Sequence, residues 1–186
     1  EELPDPRPGP TDVLVKVRAV QLSITEVLQF RGYQTTHHDY LREKIEREAP
    51  VQLFGHEFCG EVLECGSEVT EFKVGDRLSY GHPSGHILGI HVPGCLAQYA
   101  AVSTESLVKL PASMSDGEAA AYQPATTSVT AVDECGIRLG NTVAIFGQGV
   151  IGLNCLQAAK QSGAGRCIGV DVRSESLQLS EELGAD

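Results

Sequence analysis

The chain has 186 residues, with 25 Asp and Glu against 14 Lys and Arg and a formal net charge of −11. That length buries a real core and suits one domain or two small ones. The acidic balance argues against a protein that grips a phosphate backbone, which needs clustered Lys and Arg, and no apolar run approaches the length of a membrane span.

In chain order, Val13–Val20 alternates apolar and basic residues as a half-buried strand does. Further strands are expected at Gly60–Cys65, Asp76–Tyr80, Leu96–Val102 and Leu107–Leu110, bounded by Gly-Ser and Gly-Asp turns. Together they predict a β-rich, partly open barrel. The stretch between Gly32 and Pro50 is long and charged; Tyr40–Glu48 has the Glu/Lys/Arg spacing of an exposed helical turn and reads as a solvated insertion beside His37 and His38. After Pro111 the character changes. Ser115 and the acids behind it start a helix, and Thr126–Cys135 reads as another, ended by Gly136. A strand at Thr142–Phe146, a glycine turn, a helix from about Val150 to Gln161, a strand at Cys167–Val170 and a helical stretch Ser174–Leu183 then make one βαβ unit and the start of the next.

Gly147-Gln148-Gly149-Val150-Ile151-Gly152 follows a strand and opens a helix, which is the context a dinucleotide fingerprint requires. Gly147 allows the tight turn, Gly149 lets the backbone approach a pyrophosphate, and Gly152 lets helix and strand pack closely. The helix start offers free N–H groups and a positive dipole end to phosphate. Asp171 closes the second strand, placed to accept hydrogen bonds from ribose hydroxyls. A 2′-phosphate beside it would set like charges a few Å apart, opposed by roughly 4 kcal/mol per pair at surface-like dielectric. NAD is therefore expected over NADP, with Arg173 as the residue that could accommodate the phosphate instead.

Residues 55–78 place His56 and Glu57 among Gly55, Gly60, Gly66 and Gly75 and the apolar Val62, Val69 and Val74. This resembles the signature of the zinc-type medium-chain dehydrogenase/reductase family, the alcohol and polyol dehydrogenase group. The resemblance implies a GroES-like, partly open β-barrel catalytic domain over residues 1–124, followed at 125–186 by the first βαβ unit of an incomplete Rossmann domain, with the active site in the cleft between them. Members of that family begin earlier and continue further, so a piece of a longer enzyme is expected. It also implies an NAD-dependent dehydrogenase, acting by hydride transfer on an alcohol or polyol or its carbonyl counterpart, that assembles as a homodimer or homotetramer. Nucleic-acid and membrane partners are not expected.

In that family a catalytic zinc is held by a Cys, by the His of the Gly-His-Glu run and by a further Cys, Asp or Glu. Here Ser23 and Gln123 fall where the first and last ligands are expected, so His56 and Glu57 are the metal candidates that remain. Thr25 falls at the proton-relaying hydroxyl and Glu26 at the acid that supports the ligand His. The catalytic candidates are therefore Ser23, Thr25 and His56. Serine and carboxamide oxygens are neutral, poorer zinc donors than thiolate, so at most weak zinc is expected. Two alternatives stay open: a zinc-independent NAD(P)H reductase of the quinone or enoyl type, with Ser23, Thr25 and His56 polarising a carbonyl, and a non-enzymatic nucleotide-binding protein with a structural or redox-responsive role. The four-cysteine structural zinc loop common in the family has no counterpart in residues 80–94. His82, His86 and His91 there read as surface or cleft histidines.

The six cysteines (Cys59, Cys65, Cys95, Cys135, Cys155 and Cys167) show no CxxC pair, and free thiols favour a reducing, cytoplasmic setting. Cys59 and Cys65 lie near His56 but off the ligand positions, and read as small buried residues.

Overall fold

Apolar alternation drives the first strand: β1 (Asp12–Gln21) buries Val13 and Val15. It pairs on one side with β2 (Glu57–Cys65) and on the other with β4 (Tyr99–Ser103). Strands β3 (Arg77–Tyr80) and β5 (Leu107–Lys109) complete an antiparallel five-stranded sheet of order β4-β1-β2-β3-β5. The sheet is open in this computed structural model, which describes residues 3–81 and 85–186. Its core is built from Val13, Val15, Phe58, Val62, Leu78 and Ala100. The β1–β2 register sets Gln21 opposite Glu57, with irregularities between Leu14 and Val15 and between Val17 and Ala19.

Several elements differ from those expected, and one helix had no expectation. A short helix, α1 (Ile24–Phe30), follows β1 directly, although its Ser23…Glu26 spacing is a capping-box signature. The second strand starts at Glu57 rather than Gly60, because Phe58, Cys59 and Gly60 are drawn into the core by pairing with β1. The strand expected from Leu96 starts only at Tyr99; Leu96 N–H is spent on the Phe54 carbonyl at 3.2 Å. The charged insertion is α2 (His38–Glu48), and its inner face is not solvated. Leu41 and Lys44 are buried there, and Lys44 Nζ donates to the His91 carbonyl at 2.6 Å.

Two compact units divide the chain, Glu1–Gln123 and Pro124–Asp186. Within the first, α3 (Asp116–Ala120) starts on a Ser115–Glu118 capping box and packs on β1 and β2. Helix α4 (Tyr122–Glu134) begins four residues earlier than expected and carries Pro124 in its first turn, where a missing N–H is tolerated. In the second unit β6 (Thr142–Phe146) and β7 (Arg166–Val170) pair in parallel. They are joined by α5 (Val150–Gln161), and α6 (Ser174–Glu182) follows. Leu156, Ala159, Cys167 and Val132 form the core of this unit. Among the described residues, no helix is long and apolar enough to cross a membrane.

Candidate functional site

His56 sits one residue before β2, and its position is fixed from three directions. Ahead of it, Phe54 adopts a positive φ of 63°, and its N–H donates to the Gly89 carbonyl at 2.8 Å while its carbonyl accepts from Leu96. Gly94 lies so close that a Cβ there would stand 1.7 Å from the Phe54 oxygen. Phe54, two residues before the His, is therefore clamped by the backbone of the 85–96 loop.

The second direction is Glu26, in the first turn of α1. Its Oε2 accepts the Ser23 N–H at 2.9 Å, while Oε1 accepts the Gly55 N–H at 2.6 Å and faces His56 Nδ1 at 3.0 Å. Burial works against its charge, but the bonds from His56, Ser23 and Gly55 outweigh it and hold this carboxyl below the usual range. An ionised acceptor fixes the imidazole proton on Nδ1 and leaves Nε2 as the reactive edge. For His56 burial likewise opposes protonation, yet the bond to Glu26 and the nearby Glu57 charge raise its pKa above the ordinary value.

The third is Glu57, whose Oε1 lies 3.8 Å from His56 Nε2. Burial pushes its carboxyl upward, only partly offset by the Gln21 amide, which donates to Oε2 at 2.5 Å. Tyr80 adds an edge-on ring, 6.4 Å from that of His56. Neither Gln21 nor Tyr80 is evident from sequence alone; the first is found only through the β1–β2 register.

Ser23 is the N-cap of α1 and its Oγ accepts the Glu26 N–H at 3.1 Å. Thr25 stands exposed in the same first turn. Among the described residues, no three His, Cys, Asp or Glu side chains gather to hold a metal ion. His86 and His91 meet edge-on at 6.0 Å, but His91 Nδ1 accepts the Ile87 N–H at 2.9 Å, which places its proton on Nε2 and takes that nitrogen out of ligation. His82 lies outside the described residues.

The second unit carries the glycine turn. Gly147 has a φ of 89° and donates to the Val170 carbonyl at 2.7 Å. A Cβ on Gly152 would meet the Gly147 oxygen at 1.7 Å, whereas Gly149 borders open space. Gly149 is the N-cap of α5 with no side chain capping the helix, and Val150 and Ile151 are exposed beside it. Asp171 Oδ2 accepts the Gln148 N–H at 2.6 Å and Oδ1 the Arg173 N–H at 2.9 Å. These backbone bonds, Arg173 first and Gln148 second, hold its carboxyl below the usual range. The Arg173 guanidinium is 3.6 Å away and largely exposed.

A GroES-like sheet bearing a Gly-His-Glu run, followed by a βαβ glycine turn, defines the class: an alcohol-dehydrogenase-type protein of the medium-chain dehydrogenase/reductase group. The alcohol dehydrogenase GroES-like domain matches residues 9–112, and the chain belongs to this family. It is 30% identical over 205 residues to L-threonine 3-dehydrogenase of Rhizobium rhizogenes, covering 100% of this chain and 56% of that protein. The structure of 2R,3R-butanediol dehydrogenase from Bacillus subtilis superposes with a TM-score of 0.84 at 30% identity, over 100% of this chain and 58% of that one. A putative zinc-binding dehydrogenase from Sinorhizobium meliloti, bound to NADP, gives a TM-score of 0.80 at 33% identity, over 97% and 54%. The chain thus spans little more than half the length of these relatives.

Proposed function

We propose that this chain belongs to an NAD-dependent dehydrogenase that oxidises an alcohol or polyol, or reduces its carbonyl counterpart, by hydride transfer. The observation that carries this reading is the glycine turn with Asp171 fixed against it. The residues fit a dinucleotide: a Cβ-free approach at Gly149, uncapped N–H groups at the start of α5 for a pyrophosphate, and unused lone pairs on Asp171 for ribose hydroxyls. When bound, the nicotinamide supplies the hydride acceptor. The carboxylate of Asp171 favours NAD over NADP; Arg173 and the NADP-bound relative lean the other way.

His56 is the residue best suited to handle the substrate proton. Its Nδ1–H is committed to Glu26, so Nε2 receives or returns a proton while Glu26 stabilises the imidazolium. The Ser23 hydroxyl, whose oxygen accepts the helix N–H, keeps its own proton to donate to a substrate oxygen. Thr25, exposed two residues on in the same turn, is the group for onward relay. A catalytic zinc does not fit the donors present: one imidazole nitrogen and one carboxylate stand alone, where such sites use three protein ligands. No step is therefore assigned to a metal. A cytoplasmic location, suggested by six free thiols, and a homo-oligomeric assembly complete the proposal.

That donor set also favours a second reading, a metal-free NAD(P)H reductase of the quinone or enoyl type. One experiment separates the two: nicotinamide reduction measured over a panel of secondary alcohols, vicinal diols and β-hydroxy amino acids, alongside NADH and NADPH oxidation with quinones and enones. Turnover of an alcohol supports the first reading. Turnover confined to quinones or enones overturns it in favour of the second.

A further inference from the structure

Gln148 occupies the first variable position of the glycine turn, yet its side chain is turned inward and is 1% exposed. Both ends of its amide are used there. Nε2 donates to the Ile145 carbonyl at 2.7 Å, and Oε1 accepts the hydroxyl of Ser180, itself 1% exposed on α6, at 2.9 Å. The backbone N–H of the same residue reaches Asp171 Oδ2 at 2.6 Å. Space for this arrangement comes from Gly169 on β7. A Cβ there would lie 2.5 Å from Ser180 Oγ and 3.1 Å from Gln148 Cδ. One side chain thus ties the end of β6 to α6, while its own peptide holds the acid at the end of β7.

We propose that Gln148 and Ser180 are positioning residues for the dinucleotide: they form a buried latch that sets the glycine turn and the Asp171 carboxylate in one geometry before the cofactor arrives. The proposal rests on the dinucleotide-binding reading above. Its physical basis is the asymmetry of buried hydrogen bonds. Without the Ser180 hydroxyl, Gln148 Oε1 is left buried with no donor, and the amide relieves this only by moving. Movement of the amide carries the Gln148 peptide with it, and that peptide is the one aimed at Asp171. The ordering that the latch performs in the free protein must then be performed at binding, which weakens affinity. Both side chains of the latch are buried within their own unit and closed to a substrate, so it acts on affinity and not on the chemical step.

The test is a binding cycle on the purified protein with Ser180→Ala, Gln148→Met and the double variant, each checked for folding by circular dichroism. Binding of NADH and of ADP-ribose is measured by calorimetry, and amide hydrogen exchange at Gln148 is followed in the ligand-free protein. Each single variant should bind both ligands about threefold to tenfold more weakly. The double variant should be no weaker than Gln148→Met alone, because the two groups act through one bond. The Gln148 amide should exchange faster in Ser180→Ala, and in steady state KM for the dinucleotide should rise with kcat unchanged. If Gln148→Met does not fold, Ser180→Ala alone decides through its affinity and its exchange rate. Unchanged affinity in a folded variant, or effects that multiply independently, overturns the latch. An unmodified protein that binds neither NADH, NADPH nor ADP-ribose overturns the dinucleotide reading together with it; normal binding with unmoved variants overturns the latch alone.

Discussion

The Glu26 carboxylate faces His56 Nδ1 at 3.0 Å while also closing the capping box of α1 with Ser23. One side chain therefore starts a helix and orients the candidate acid–base residue. Replacing it by Ala removes the acceptor of three donors, two of them backbone N–H groups. Glu26→Ala should lower unfolding free energy by about 3 kcal/mol, as expected when a buried pair loses one partner. In Glu26→Gln the His56 pKa should fall, measured by NMR titration. An unmoved His56 titration would show that the imidazole is held by something else.

The same pair predicts a pH window for stability. Glu26 titrates below its ordinary value of 4.5 when folded, so its contribution is complete above that pH and is lost as pH falls through the folded value. His56 titrates above its ordinary 6.5, so its contribution is complete below that pH and is lost as pH rises through the raised value. The stability difference between the unmodified protein and Glu26→Gln should peak between these limits and shrink on both sides. Urea denaturation across a pH series reads it directly; a difference independent of pH refutes the coupling.

Cofactor preference is tested at Asp171. The unmodified protein should bind NADH more tightly than NADPH. Asp171→Ser should narrow that gap, with some loss for both ligands because Asp171 also holds the Gln148 N–H. Equal or tighter NADPH binding in the unmodified protein would sink the preference and move attention to Arg173.

Metal dependence follows from the donor set around His56. Any zinc should be substoichiometric and removed by a chelator without a change in Tm. His56→Ala should abolish alcohol turnover, and His86→Ala and His91→Ala should leave metal content as it was. Stoichiometric zinc that survives prolonged chelation would contradict this, as would turnover untouched by His56→Ala.

The clamp on Phe54 is a matter of space. Gly94→Ala places a Cβ against the Phe54 carbonyl and should destabilise the protein by about 1–3 kcal/mol, as overpacking does. Because the displaced residue leads into Gly55 and His56, activity should fall further than stability alone requires. Thermal melts and kinetics on one preparation compare the two.

What could be read from sequence divides along a physical line. The βαβ unit was legible because its strand, glycine turn and helix are local and periodic. The strands of the first sheet were legible from alternation, but their ends were not. Where β2 starts and where β4 begins depend on pairing partners and on the Phe54–Leu96 bond, which join residues far apart in the chain. Helix α1 was locally signalled by Ser23 and Glu26, but a seven-residue helix carries too little periodicity to stand out against β1. The inward face of α2 was hidden for a different reason: a lysine is buried there because a carbonyl on another loop receives it, with Glu48 3.8 Å away. Of the candidate site, Glu26, His56 and Glu57 converge, while Gln21 enters through strand register and Tyr80 through packing.

The space opened by Gly169 has an evolutionary corollary. Positions 148, 169 and 180 share one small volume, so they should vary as a set among related chains. Where the residues at both 148 and 180 are small, alanine at 169 finds room; where 148 is a glutamine bonded to a serine at 180, 169 is confined to glycine. A chimera that imports only one of the three from a relative should fold worse than one that imports all of them.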